Sequence, residues 1–134
     1  MSEQTVDIWQ AQQAFWSSFG VPALRHAGTI EKSDRDEILA SYGGYITYEA
    51  ASGGIDTTAL ISAFVWTRSE KWNKAEEIAD TIFNALGGAA GGGKIQPYTG
   101  GVLWFTPEPN FAQDMADEKD DMIKAKQITV VLHF

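Results

Sequence analysis

No cysteine occurs among the 134 residues, which excludes a disulfide scaffold, thiolate metal ligands and a cysteine nucleophile. Basic residues are scarce as well. Ten Lys and Arg stand against eighteen Asp and Glu, for a formal charge of −8 and a pI near 4.6. A protein that grips nucleic acid by its phosphates needs a basic patch, and the scattered cations supply none. Long apolar runs are missing too, and no stretch approaches the roughly 20 residues that span a bilayer. The first residues, MSEQTVDIW, are acidic and polar, so no secretory leader is expected. The expectation is a soluble protein made in the cytoplasm. What the chain does have, 44% apolar and 12% aromatic residues, suffices for the core of one domain over residues 1–134.

Two stretches carry helical periodicity. In residues 4–19, Ile8, Trp9, Gln12, Phe15, Trp16 and Phe19 fall on one stripe, and Gly20 with Pro22 ends it. So many large apolar side chains on a short helix demand a partner surface. Most fit the core, and the pair Trp9 and Trp16 fits either the core or a subunit contact, where aromatics are enriched. In residues 67–86, Trp72, Ala75, Ala79, Ile82, Phe83 and Leu86 recur at three- and four-residue steps. Thr67 with Glu70 has the form of a capping box, Ser69 is a rival N-cap, and Gly87-Gly88 stops the helix.

The glycine-rich tail of that second helix nearly spells a phosphate-binding loop, as Gly88-x4-Gly93-Lys94. Such a loop needs a strand before it, a helix after it, and Ser or Thr following the Lys. Here a helix precedes, Ile95 follows the Lys, and strand-like residues come next. The order is inverted. Residues 87–93 read as a flexible connector from helix to strand.

Strand signals fill much of the remainder. Residues 23–37 are polar and aperiodic and read as a connector. Residues 45–49 (YITYE) and 59–67 (ALISAFVWT) form one hairpin across a turn-rich loop at 50–58. In the second of these strands Leu60, Ser62, Phe64 and Trp66 share one face, and Ile61, Ala63 and Val65 the other. Both faces are apolar, so this strand is central, or its second face is covered by a helix or a neighbouring subunit. Residues 94–98 and 102–106 form a second hairpin or one bent strand, and residues 123–134 a long closing strand. The expected class is α+β, with two hairpins making a mostly antiparallel four-stranded sheet packed by two amphipathic helices, in the order α-β-β-α-β-β.

Chemistry-bearing patterns are thin. His26 and His133 have no Ser, Asp or ligand partner at a readable spacing. Residues 107–122 crowd Asp114, Asp117, Glu118, Asp120 and Asp121 around Lys119. Hard cations accept several carboxylates, but the spacing lacks the central glycine and terminal glutamate of a calcium loop. A solvated acidic loop explains it as well. No catalytic constellation is expected.

Three segments resemble the tail terminator, or tail completion, proteins of long-tailed bacteriophages, the group typified by the terminator of phage lambda. They are IWQAQQAFWSSFGVPA at 8–23, KWNKAEEIADTIFNALGG at 71–88, and GGVLWFT at 100–106 followed by PNFAQ at 109–113, an acidic stretch and a last strand. The resemblance implies a structural virion protein rather than an enzyme. It implies a homo-oligomeric ring, usually a hexamer, that caps the tail tube, halts its polymerisation and offers the surface for head–tail joining. The partners implied are further copies of the chain, the tail tube protein and a head or neck connector. DNA would pass through without specific binding, and an acidic lumen suits that passage. The interface candidates are Ser52, Asp56 and Thr58 in the long hairpin loop, and Asp114, Glu118 and Asp120 in the acidic stretch. In some members of the family the ring depends on divalent cations, which makes Asp114, Asp117 and Asp121 the candidates for Mg²⁺. The alternatives are a head-completion or neck connector protein and, further off, a small-molecule-binding α+β domain.

Overall fold

The computed structural model describes residues 3–25, 31–49, 58–88, 92–98, 101–116 and 123–133. Three helices and six strands follow one another as α1 (Glu3–Ser17), β1 (Ala23–Leu24), α2 (Lys32–Tyr42), β2 (Tyr45–Tyr48), β3 (Thr58–Arg68), α3 (Trp72–Ala85), β4 (Lys94–Tyr98), β5 (Gly101–Ala116) and β6 (Ile123–His133). The strands form one sheet in the order β1-β2-β3-β6-β5-β4. All pairings are antiparallel except the short parallel one between β1 and β2.

The class is α+β, but the expected four-stranded sheet with two helices is overturned. The closing strand does not trail behind two hairpins; it lies between them. β6 runs the full length of β3, from Thr58↔His133 to Arg68↔Ile123, and pairs on its other side with β5. The two hairpins meet only through it. The missed elements lie in and just after the supposed connector at 23–37. β1 is two residues long, too short for alternation to register. α2 has few apolar residues among its charges, with Ile38 and Leu39 the ones that pack, so its periodicity is weak. Its end is better marked, because Gly43 takes φ 80° and its N–H reaches the Leu39 carbonyl at 3.0 Å.

The capping box at Thr67 is also overturned. Pairing with β6 carries β3 through Arg68, so Thr67 is a buried strand residue opposite Lys124. A 3₁₀ turn at Ser69–Lys71 then leads into α3, whose N-cap, Lys71, makes no side-chain capping bond. The stretch after 107, expected as an acidic loop, is strand as far as Ala116. β5 continues past an irregularity between Pro107 and Ala112, and Phe111 enters the core there, its ring 5.1 Å from that of Phe83.

One face of the sheet carries the core. α1 and α3 lie across it and bury Ile8, Phe15, Trp16, Ile78 and Ile82 against Ile46, Ile61, Val65, Phe105, Ile128, Val130 and Leu132. Phe15 stacks on Phe105 with centroids 3.7 Å apart and planes 5° apart, and Trp16 meets the same ring edge-on. Two part-buried polar devices pin the helices. The Tyr48 hydroxyl donates to the Gln13 side chain, whose amide donates to the Ala23 carbonyl at 2.9 Å, tying α1 to β1 and β2. Burial pushes the Tyr48 phenol up to about 12, and the nearby Arg25 charge opposes this only partly. On the α3 side, Lys126 of β6 is 8% exposed; its ammonium reaches Glu76 at 2.7 Å and lies 5.6 Å from the Trp72 ring centroid.

The connector between α3 and β4 is anchored at its strand end. The Gly93 N–H donates to the Leu86 carbonyl at 2.8 Å. Gly93 has φ 82°, and a Cβ there would stand 2.3 Å from Trp104 Nε1 and 2.6 Å from the Phe105 carbonyl oxygen. Only glycine fits that position.

Candidate interaction surface

Among the described residues, the face of the sheet opposite the core is covered by a helix at one end alone. There α2 packs Leu39 and Ile38 against Tyr45, Leu24 and Trp66, and the Trp66 ring stacks on Tyr45 with centroids 6.2 Å apart. The Trp66 indole N–H donates to Thr47 Oγ1 at 2.8 Å, so its polar edge is satisfied. Past Trp66 no described helix packs on this face.

Strand alternation fixes what the uncovered part presents. On β3 the core takes Ile61, Ala63 and Val65, which leaves Leu60, Ser62 and Phe64 outward. Register passes this face to Gln127, Thr129, Val131 and His133 of β6, then to Trp104 and Thr106 of β5, then to Ile95 of β4. Val102 and Pro97, paired with each other, continue it to the sheet edge. Leu60 is 66% exposed, Ile95 60%, Val102 50% and Trp104 39%. Large apolar side chains this open, gathered on one face, are the mark of a surface that meets something.

Several polar groups on this face are bonded to one another or to the backbone. Gln127 donates to Ser62 Oγ at 3.3 Å, and Thr106 Oγ1 lies 3.1 Å from His133 Nε2. The Trp104 indole N–H donates to the Gly92 carbonyl at 3.0 Å, and its ring lies 4.4 Å from the His133 ring centre to centre. None of the residues at these outward positions carries a formal charge at neutral pH, in a chain of net charge −8.

The sequence-selected residues fall differently. Trp16 is fully buried among Phe15, Phe19, Tyr48 and Phe105, which removes it as a subunit contact. Trp9 is half-buried, with the Arg25 guanidinium 3.9 Å over its ring. Thr58 opens β3 as an exposed residue opposite His133, at the rim of the open face. Asp114 is a strand residue of β5 opposite Lys126. Ser52, Asp56, Asp117, Glu118, Asp120 and Asp121 lie outside the described residues. Among the described residues no group of three or more His, Asp or Glu side chains converges.

A shallow groove of about 220 Å³ between α1 and β4 is lined by Asp7, Gln10, Ala11, Ala14, Gln96, Pro97 and Tyr98. That falls short of the roughly 300–1,000 Å³ of an ordinary ligand pocket. Of these two features of the described residues, the open sheet face is the better candidate. Sequence reasoning found half of it, in the two-faced apolar pattern of β3. The other half was legible in the alternation of Ile95 and Pro97 and of Val102 and Trp104, once their partner strands were known.

Compared with protein-family models, curated proteins and solved structures, the chain matches none.

Proposed function

We propose that the chain is a non-enzymatic assembly protein, a ring-forming terminator of a long-tailed bacteriophage tail. The observation that carries this reading is the open sheet face: among the described residues, the side of the sheet away from α1 and α3 exposes Leu60, Ile95, Val102 and Trp104. A sheet buried on one face alone ordinarily alternates apolar with polar residues. A second apolar face calls for another macromolecule, and a catalytic reading would call instead for a pocket with convergent acids and bases.

The three segments that resemble the terminators support the reading further. They lie on α1, on α3 and on β5, and these pack together in one core through Phe15, Ile82 and Phe105. In this role copies of the chain close into a ring, usually of six, on the end of the tail tube, where they stop its growth and receive the head connector. The net charge of −8 lets DNA pass the lumen without adhering. Mg²⁺ held by Asp114, Asp117 and Asp121 would assist ring closure.

The test is capping. Purified tail tubes incubated with the chain, with Mg²⁺ or with a chelator, are viewed by negative-stain electron microscopy. A ring of density on one tube end, with tube growth arrested at that end, is expected. Bare tube ends at every concentration would sink the proposal, and equal capping in chelator would remove the cation from it.

A further inference from the structure

We infer that the free chain pairs with a second copy of itself through the open sheet face, like face against like face. This goes beyond the terminator reading, because it concerns the unassembled protein and rests on the surface alone.

Three observations select this occupant. The first is charge. Two copies at −8 each repel wherever their acids meet, and the outward positions of β3, β6, β5 and β4 are where they approach without that repulsion. A basic partner would be recognised by carboxylates, and none stands at the outward positions named above.

The second observation separates like-to-like contact from head-to-tail contact. A head-to-tail contact sets this face against a different surface, which must be apolar to match it. Among the described residues the exposed large apolar side chains are Leu60, Ile95, Val102 and Trp104, all on this face, and Tyr42 alone elsewhere. The complementary patch for the face is thus the face itself, which is the condition for a two-fold contact.

The third is polar satisfaction. Covering Ser62, Gln127, Thr106, His133 and the Trp104 indole leaves them the partners they already hold within one chain. Those three bonds lower the desolvation cost of covering the face. Two such sheets would stack about 10 Å apart, as in a sandwich.

Size sets the strength. Four strands spaced about 4.8 Å apart over about six residues give a patch of about 400 Å², half of what each partner buries in a standard stable interface. The pairing is therefore weak and concentration-dependent. It shields the face in free protein and yields when assembly offers a larger contact.

Sedimentation velocity over a hundredfold range of concentration, on the full chain, tests this. The expected result is a monomer shifting to dimer, with Leu60→Glu weakening association at least tenfold. Leu60→Glu is exposed, so its circular dichroism melt should match wild type. Thr81→Glu, on the exposed side of α3, should dimerise as wild type does. A wild-type chain that stays monomeric throughout overturns the inference, and so does a Leu60→Glu chain that associates as tightly as wild type. A chain that dimerises this way yet fails to cap tubes would sink the terminator reading and leave this inference standing; a chain that caps tubes but is monomeric when free would do the reverse.

Discussion

The two faces of β3 carry similar side chains and have opposite fates. Ile61, Ala63 and Val65 on one side are almost wholly buried, while Leu60 on the other keeps 66% of its surface. Between them Ser62, Phe64 and Trp66 are half-covered. The difference lies in what is laid over each face. α1 and α3 close the first with long apolar stripes, whereas α2 has little more than Ile38 and Leu39 to offer and reaches only the β1–β2 end of the second. Apolar character alone therefore did not decide which residues became core. The length and composition of the covering helix did. The same sheet serves stability on one side and contact on the other.

Substitutions that separate the two faces should differ by an order of magnitude in stability. Phe105→Ala removes the ring that stacks on Phe15 and should cost about 3–5 kcal/mol, read as a lower denaturant midpoint at unchanged slope. Gly93→Ala comes next. It forces a side chain into φ 82° and against the Phe105 carbonyl, for about 2–4 kcal/mol, and it should also shift Trp104 fluorescence. A loss under about 0.5 kcal/mol there would show that the connector relaxes freely.

Glu76→Ala strips the almost buried Lys126 of its carboxylate partner. Because Glu76 itself is 46% exposed and screened, the expected loss is about 1 kcal/mol, and Glu76→Gln should recover part of it in urea melts. The Tyr48 phenol acts only in strong base. Its folded value, about 12, exceeds the ordinary 10.0, so between these values the unfolded chain gives up a proton that the folded chain keeps. Stability from this group is fully present below pH 10 and is lost as pH rises through 12. Tyr48→Phe should flatten that alkaline slope; an unchanged slope would place its origin elsewhere. Smallest of all, Leu60→Ser on the open face should change the urea midpoint by under about 0.5 kcal/mol. If it destabilised the chain as much as a core truncation, the face would not be open.

Several of these positions could be read before any coordinates. The stripe on α1 through Ile8, Phe15 and Trp16 follows from 3.6-residue periodicity, and so does most of α3. The two-sided apolar pattern of β3 fitted a central strand or one with a covered second face, and β3 is central, between β2 and β6. By contrast, α2 was hidden because its helical residues are mostly polar, and β1 because two residues cannot display a period. Trp16 was ambiguous between core and interface, since a large apolar side chain on a stripe satisfies either. Its neighbours Tyr48 and Phe105 come from strands far along the chain, and only their arrival beside it settles the matter. Thr67 illustrates the converse: its capping signature is local, and pairing with Lys124 on a distant strand overrode it.

By itself, then, the sequence determined the class of α1, α3, β3 and β6, the apolar stripes, the net acidity and the absence of thiol chemistry, because each of these depends on residue type and near spacing. Tertiary structure alone decided that β6 enters between the two hairpins and that, among the described residues, helices cover one face of the resulting sheet and only one end of the other. Strand partners are chosen among segments many residues apart, by which pairing buries the most apolar surface. No local period records that choice.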